Sequence, residues 1–153
     1  MIKEIYTLLL AASPISELRG AIPAAILVWG FNPFKAYVLS VIGNALPVIP
    51  LLFIWHYLSD YLSKRFYFLN RFFNWLFDRA RTRHNHHFEV WEQLALLIFV
   101  AIPFPLTGAW SGTVAAFVFG IPFWRAVAMI FGGILISGLI VLLLTTGFNF
   151  LTG

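Results

Sequence analysis

The sequence predicts an all-α integral membrane protein made of two inverted repeats, each a re-entrant helical hairpin followed by a long transmembrane helix. Three observations carry that expectation: an apolar excess too large for a soluble core, polar helix-breaking inserts inside apolar segments, and a likeness between the two halves. Of 153 residues, 61% are hydrophobic and 10% charged, against about half and about a quarter in soluble domains. Residues 36–57 and 126–146 contain no Asp, Glu, Lys or Arg, so lipid has to be their solvent.

A membrane-spanning helix needs about 20 apolar residues, and the runs from 35 to about 57 and from 125 to about 147 meet that length. The segments 5–12 and 21–29 are each long enough for only about half a bilayer. Between them lies Ser13-Pro-Ile-Ser-Glu-Leu-Arg-Gly20. The second half repeats the layout, with 94–101 and 110–119 flanking Pro103-Phe-Pro-Leu-Thr-Gly108. Running a helix through either insert would put Pro and Gly in its interior, at about 3 and 1 kcal/mol relative to Ala. A hairpin with the insert at its tip avoids that conflict. Irregular backbone at membrane depth needs protein or a wet cavity around it, so the two tips are expected to lie against each other.

A shift of 89 positions aligns Pro14 with Pro103, Pro33-Phe34 with Pro122-Phe123, Val38 with Val127 and Gly43 with Gly132, the mark of an internal repeat. A re-entrant hairpin adds no net crossing and the helix after it adds one, so consecutive units point in opposite directions. The expected division is a first repeat at 1–62 (hairpin about 3–31, transmembrane helix about 34–58), a linker at 63–90, and a second repeat at 91–153 (hairpin about 92–120, transmembrane helix about 123–147). The opening apolar run takes part in the repeat and is followed by Glu17 and Arg19, which reads as mature chain rather than a cleaved leader.

Six of the ten Lys and Arg residues (Lys64, Arg65, Arg71, Arg79, Arg81 and Arg83) fall in the linker. Between such hydrophobic flanks the positive-inside rule explains them more simply than nucleic-acid binding. The expectation is a multi-pass protein of the cell membrane with a cytoplasmic linker and no nucleic-acid partner. Phe66, Leu69, Phe72, Phe73, Leu76, Phe77 and Ala80 recur there at spacings of three and four, an interfacial amphipathic pattern. Its plain reading is a connecting helix on the headgroups; a partner-docking helix is the alternative.

Glu17 and Arg19 stand out, because ionisable groups within apolar segments cost several kcal/mol and usually mark a pathway or a pair. The plain alternative is an ion pair that only fixes the tip. As a functional pair, Glu17 is a candidate proton carrier, and Arg19 offers a planar fork for phosphate or carboxylate. At the second tip Thr107 brings a hydroxyl, Gly108 and Gly112 allow close backbone approach, and Trp110 is amphipathic; tight helix packing would use the same small residues. Asn44, beside Gly43, carries the same two readings. Lys35 and Arg125, near the starts of the long helices, read as snorkelling side chains. His84, His86 and His87 sit in a basic linker with Glu89 alone beside them, a weak ligand set, so no metal or cofactor is expected. No cysteine is present, which excludes thiol chemistry and disulfides. One carboxylate at the tips, without a second acid or a His, argues against an enzyme.

Glu17-Leu-Arg-Gly-Ala-Ile-Pro23, Gly43-Asn44 and Phe99-Val-Ala-Ile-Pro-Phe-Pro-Leu-Thr-Gly-Ala-Trp-Ser-Gly112 resemble the small multidrug export family over nearly the whole chain. More distantly, the plan is similar to DedA-type (VTT) membrane proteins, a likeness that implies a polyprenyl phosphate or phospholipid cargo. Leu106 stands where the family string has Gly, and the His-rich stretch before Glu92 departs from it. Carried over position by position, the resemblance implies Glu17, Arg19, Pro23, Asn44, Pro103, Pro105, Thr107, Gly108 and Trp110 as site residues, without roles. The expected function is transport or export of a small or lipid-like solute, with an anionic, phosphate-bearing one and proton coupling through Glu17 as specific forms, membrane lipids as neighbours and a homodimer as the assembly. The alternative is a structural or accessory membrane protein that docks a partner on its linker.

Overall fold

The structure, a computed structural model, describes residues 1–81, 86–105 and 107–152. Arg83, His84 and Leu106 lie outside the described residues, as do the side chains of Leu69, Phe73, Leu76, Phe77, Arg79, Ala80, Arg81, His86 and His87. The expected all-helical architecture is borne out among the described residues. The elements are α1 (Ile2–Ala12), α2 (Glu17–Pro23) running on as a π-helical segment (Ala24–Val28), α3 (Pro33–Ala45), α4 (Val48–Arg65), α5 (Tyr67–Arg81), α6 (His86–Ala101), α7 (Ala109–Val118) and α8 (Phe123–Thr152). Two stretches, Pro33–Ser59 and Phe123–Phe148, are long and apolar enough to cross a membrane.

Local chemistry explains the breaks. Pro23 has no N–H to give the Arg19 carbonyl, and the helix widens there into the π-helical segment. Asn32 caps α3, its side-chain oxygen accepting from the Lys35 N–H at 2.7 Å, with Pro33 in the first helical position. The stretch that hydropathy reads as one helix from about 34 to 58 is divided into α3 and α4 at Leu46-Pro47. Pro47 and Pro50 lack the N–H groups that the Gly43 and Leu46 carbonyls would take in an unbroken helix.

Packing repeats between the halves. Helix α1 lies along α3 and α6 lies along α8, and both contacts depend on glycine. A Cβ on Gly43 would come within 2.6 Å of the Leu8 carbonyl oxygen, and one on Gly133 within 2.9 Å of the Leu97 oxygen. Leu8 and Leu97 are themselves 89 positions apart. Near the start of each hairpin an ion pair reaches to the start of the following long helix. Glu4 pairs with Lys35 in the first half, and Glu89 pairs with Arg125 at 3.0 Å in the second. The Lys35 and Arg125 side chains, read from sequence as merely snorkelling, are therefore partnered. Lys35 and the N-terminal amine hold the Glu4 carboxyl below the usual carboxylate range. Solvent screens such exposed pairs, so they orient more than they stabilise.

The two halves share one core. Leu18 and Ile22 of α2, Val48 and Leu52 of α4, Leu96 and Val100 of α6, and Ile130 and Ile134 of α8 form a single buried cluster. Helix α2 packs on α8, and α4 packs on α7. The Trp55 indole N–H ties α4 to α7 by donating to the Thr113 hydroxyl at 3.2 Å. Each hairpin is thus held by the other half of the chain, which brings the tips together.

Gly43→Ala is expected to lower stability by about 1–3 kcal/mol, the usual effect of overpacking, seen as a lower unfolding midpoint in detergent. Gly147→Ala, where a Cβ meets nothing within 4 Å, serves as the control. Equal midpoints for the two variants would refute the close α1–α3 approach.

Candidate functional site

The chain turns from α1 into α2 through Ser13–Ser16, with the Glu17 N–H bonded to the Ser13 carbonyl at 3.1 Å and the Gly20 N–H to Ser16 at 3.0 Å. Glu17 opens α2 with φ at 48°, a left-handed conformation that costs a non-glycine residue about 1–3 kcal/mol. Its side chain is 5% exposed. One carboxylate oxygen accepts the backbone N–H of Trp110 at 3.3 Å. This is one of the N–H groups that the first turn of α7 leaves without helical partners. Glu17 is therefore the N-terminal cap of a helix in the other half of the chain, where the helix dipole favours negative charge.

Trp110 returns the contact. Its indole N–H donates to the carbonyl of Ala12 at 3.0 Å, an oxygen that the end of α1 leaves unpaired within the helix. Each tip thus satisfies a helix end belonging to the other. Gly108 makes this approach possible: its φ is 147°, and a Cβ there would overlap the Glu17 carboxylate.

The second tip is held by Thr107. Its hydroxyl lies 2.6 Å from the Ile102 carbonyl and 2.9 Å from the Phe104 carbonyl, and accepts the Phe104 N–H at 3.2 Å. One proton serves two carbonyls, so the hydroxyl is committed to closing the Pro103-Phe104-Pro105 loop. The backbone adds the Thr107 N–H to the Phe104 carbonyl at 3.1 Å and the Phe104 N–H to the Ile102 carbonyl at 2.9 Å.

Two cavities meet at this junction. The first, about 730 Å³, is lined by Ser16, Glu17, Arg19, Pro105, Thr107, Trp110 and Ser111, among others. The second, about 500 Å³, is lined by Arg19, Pro23, Leu27, Pro103, Val141, Leu144, Thr145 and Phe148. Arg19 borders both. The expected Glu17–Arg19 ion pair does not form: Glu17 turns to α7, and among the described residues the Arg19 guanidinium has neither a hydrogen bond nor an ion-pair partner. Only a longer-range attraction connects the two charges. Residues i and i+2 on a helix do not face each other, and the Trp110 amide lies where the Glu17 side chain points.

A sequence profile of the family described as "Putative small multi-drug export protein" matches residues 17–140, most of the chain and both tips. The chain belongs to that family. No curated protein and no solved structure matches it. Family membership together with the two long apolar helices makes this small multi-drug export family member a membrane protein.

The residues singled out in this family member divide as follows. Glu17, Arg19, Pro105, Thr107 and Trp110 border the first cavity, while Arg19, Pro23 and Pro103 border the second. Gly108 lies under the Glu17 carboxylate. Asn44 borders neither; it is buried on α3, and among the described residues its side-chain oxygen and the Ser40 hydroxyl one turn before it have no hydrogen-bond partner. Sequence reasoning missed Val141, Leu144, Thr145 and Phe148 of α8. Of these four only Thr145 is polar, and its hydroxyl bonds back to the Val141 carbonyl at 2.8 Å.

Glu17→Ala is expected to cost about 1.5–3 kcal/mol, as for a hydrogen bond to a charged group, and Trp110→Phe about 0.5–1.5 kcal/mol. If the two bonds form one latch, the double mutant departs from additivity by about 0.5–3 kcal/mol in equilibrium unfolding. Strict additivity would mean two independent contacts.

Proposed function

We propose that this family member moves a small or lipid-like solute, phosphate-bearing ones included, across the bilayer through the site between its two tips. The observation that carries the reading is the reciprocal capping of the tips beside the cavities that Arg19 joins. A site closed by hydrogen bonds between two halves opens when the halves separate, and each half keeps its own helix-on-helix contact, α1 on α3 or α6 on α8, while it moves. Rocking of one repeat against another around a shared site is a recurring route to alternating access.

Glu17 supplies a coupling step to this scheme. As a carboxylate it accepts the Trp110 amide hydrogen of α7; once protonated it loses acceptor capacity and the favourable interaction with the helix dipole, and the latch loosens. Arg19 is the charged neighbour that acts on it. The same plan has the hairpins re-entrant and the repeats inverted. The Glu4–Lys35 and Glu89–Arg125 pairs then sit on opposite membrane faces, with the basic linker cytoplasmic. A chain free of native cysteine suits single-cysteine labelling with a membrane-impermeant maleimide. Cysteines at position 3 and at position 71 are expected to react from opposite sides, and labelling from the same side would refute the inverted arrangement.

The transport reading is tested in liposomes with pH-dependent movement of a phosphate-headed polyprenyl lipid and, in parallel, of a cationic dye. Wild type is expected to move one of them, and Glu17→Gln and Arg19→Ala to lose that movement while remaining folded. Full activity in both variants refutes the reading. A second reading, an accessory protein that docks a partner on its linker, has the exposed Tyr67, Phe68 and Phe72 of α5 beside Lys64, Arg65 and Arg71 in its favour. It predicts loss of partner recruitment on neutralising Arg79, Arg81 and Arg83, with normal behaviour of the tip variants.

A further inference from the structure

We infer that the site takes an amphipathic anion, with its charged head on the Arg19 guanidinium and its apolar tail in the groove between α2, Pro103 and the last turns of α8. This rests on the tips being the solute site and names the class of solute.

Arg19 is half-buried, and among the described residues it has no hydrogen-bond or ion-pair partner. Five N–H donors in a planar fork are left for a ligand, and that geometry matches phosphate, sulfate or carboxylate oxygens. The nearest anion does not compete for them, because the Glu17 carboxylate is turned to the Trp110 amide of α7.

The two cavities differ in the residues around this group. Around the first, the Ser16 hydroxyl stands beside Arg19, while the Ser111 hydroxyl already donates to the Gly108 carbonyl at 3.4 Å and Glu17 is held by α7. The second is lined by Pro23, Leu27, Pro103, Val141, Leu144 and Phe148, apart from Arg19 and Thr145. Since the Thr145 hydroxyl already donates to Val141, no other side-chain donor lining that groove is free for a ligand. A polar solute would be desolvated there without compensation, whereas a hydrocarbon chain would be well matched. Leu144 and Phe148 are each 65% exposed, so a hydrocarbon chain has access to the groove from outside. A cationic amphipath would meet Arg19 as a like charge, and the one nearby carboxylate is already engaged.

The experiment is a thermal-unfolding titration of the full chain in dodecyl maltoside micelles with dodecyl phosphate, inorganic phosphate and dodecyltrimethylammonium. Dodecyl phosphate is expected to raise the midpoint saturably, with the other two giving no saturable shift. Arg19→Gln is expected to weaken dodecyl phosphate at least tenfold, and Arg19→Lys less. Leu144→Trp fills the groove and is expected to weaken it similarly, while Leu143→Trp, outside the groove lining, leaves it unchanged. Should Arg19→Gln fail to fold, the Leu144 and Leu143 variants and Arg19→Lys carry the test. Saturable binding of inorganic phosphate with equal affinity would overturn the tail assignment. Binding of the cation as tightly as the anion, or indifference to both Arg19 and Leu144 variants, would overturn the inference entirely. Binding without flux in liposomes leaves this inference standing and removes the transport reading. Flux of a cationic dye that depends on Glu17, without anion binding, does the reverse.

Discussion

A carboxylate buried in an apolar chain has to find a hydrogen-bond donor, and Glu17 finds one in the Trp110 amide of the first turn of α7. Much of the site follows from that need. Helix α7 has to begin at Ala109 so that its free N–H groups face the first tip. Gly108 has to lack a Cβ, because one would overlap the carboxylate. Glu17 itself is held in a left-handed conformation at the start of α2, a strain offset by the bonds it makes. With the tips this close, the Trp110 indole can reach the end of α1.

The surrounding helices answer the same constraint. In lipid each backbone polar group needs a partner within the protein, and at the two tips the broken helices find them. The Trp110 amide of α7 meets Glu17, the freed carbonyl of Ala12 meets the Trp110 indole, and the Pro103–Pro105 loop is closed by Thr107. Glycine at positions 43 and 133 lets the hairpin arms lie against the long helices. The shared core of both halves then sets the tips opposite each other. Arg19 stands beside the contact between the tips and borders both cavities.

Much of this was legible in the amino-acid order. Composition and the length of the apolar runs determine an all-helical membrane protein with two long apolar helices, because lipid is the only solvent such runs tolerate and helices satisfy their own backbone. The Glu-Leu-Arg-Gly-Ala-Ile-Pro string and the Pro-x-Pro-x-Thr-Gly-Ala-Trp string were enough to point to the family. Pro and Gly at residues 103–108 mark a break because they cannot continue a helix. Tertiary structure decided what these residues do to one another. Spacing suggested that Glu17 pairs with Arg19, two positions away, but residues i and i+2 do not face each other on a helix, and the Trp110 amide, 93 positions along the chain, is the donor that Glu17 meets. The groove on α8 was invisible for a related reason: Val141, Leu144 and Phe148 are ordinary lipid-compatible residues, and only the packing of α2 and Pro103 beside them turns that surface into a groove.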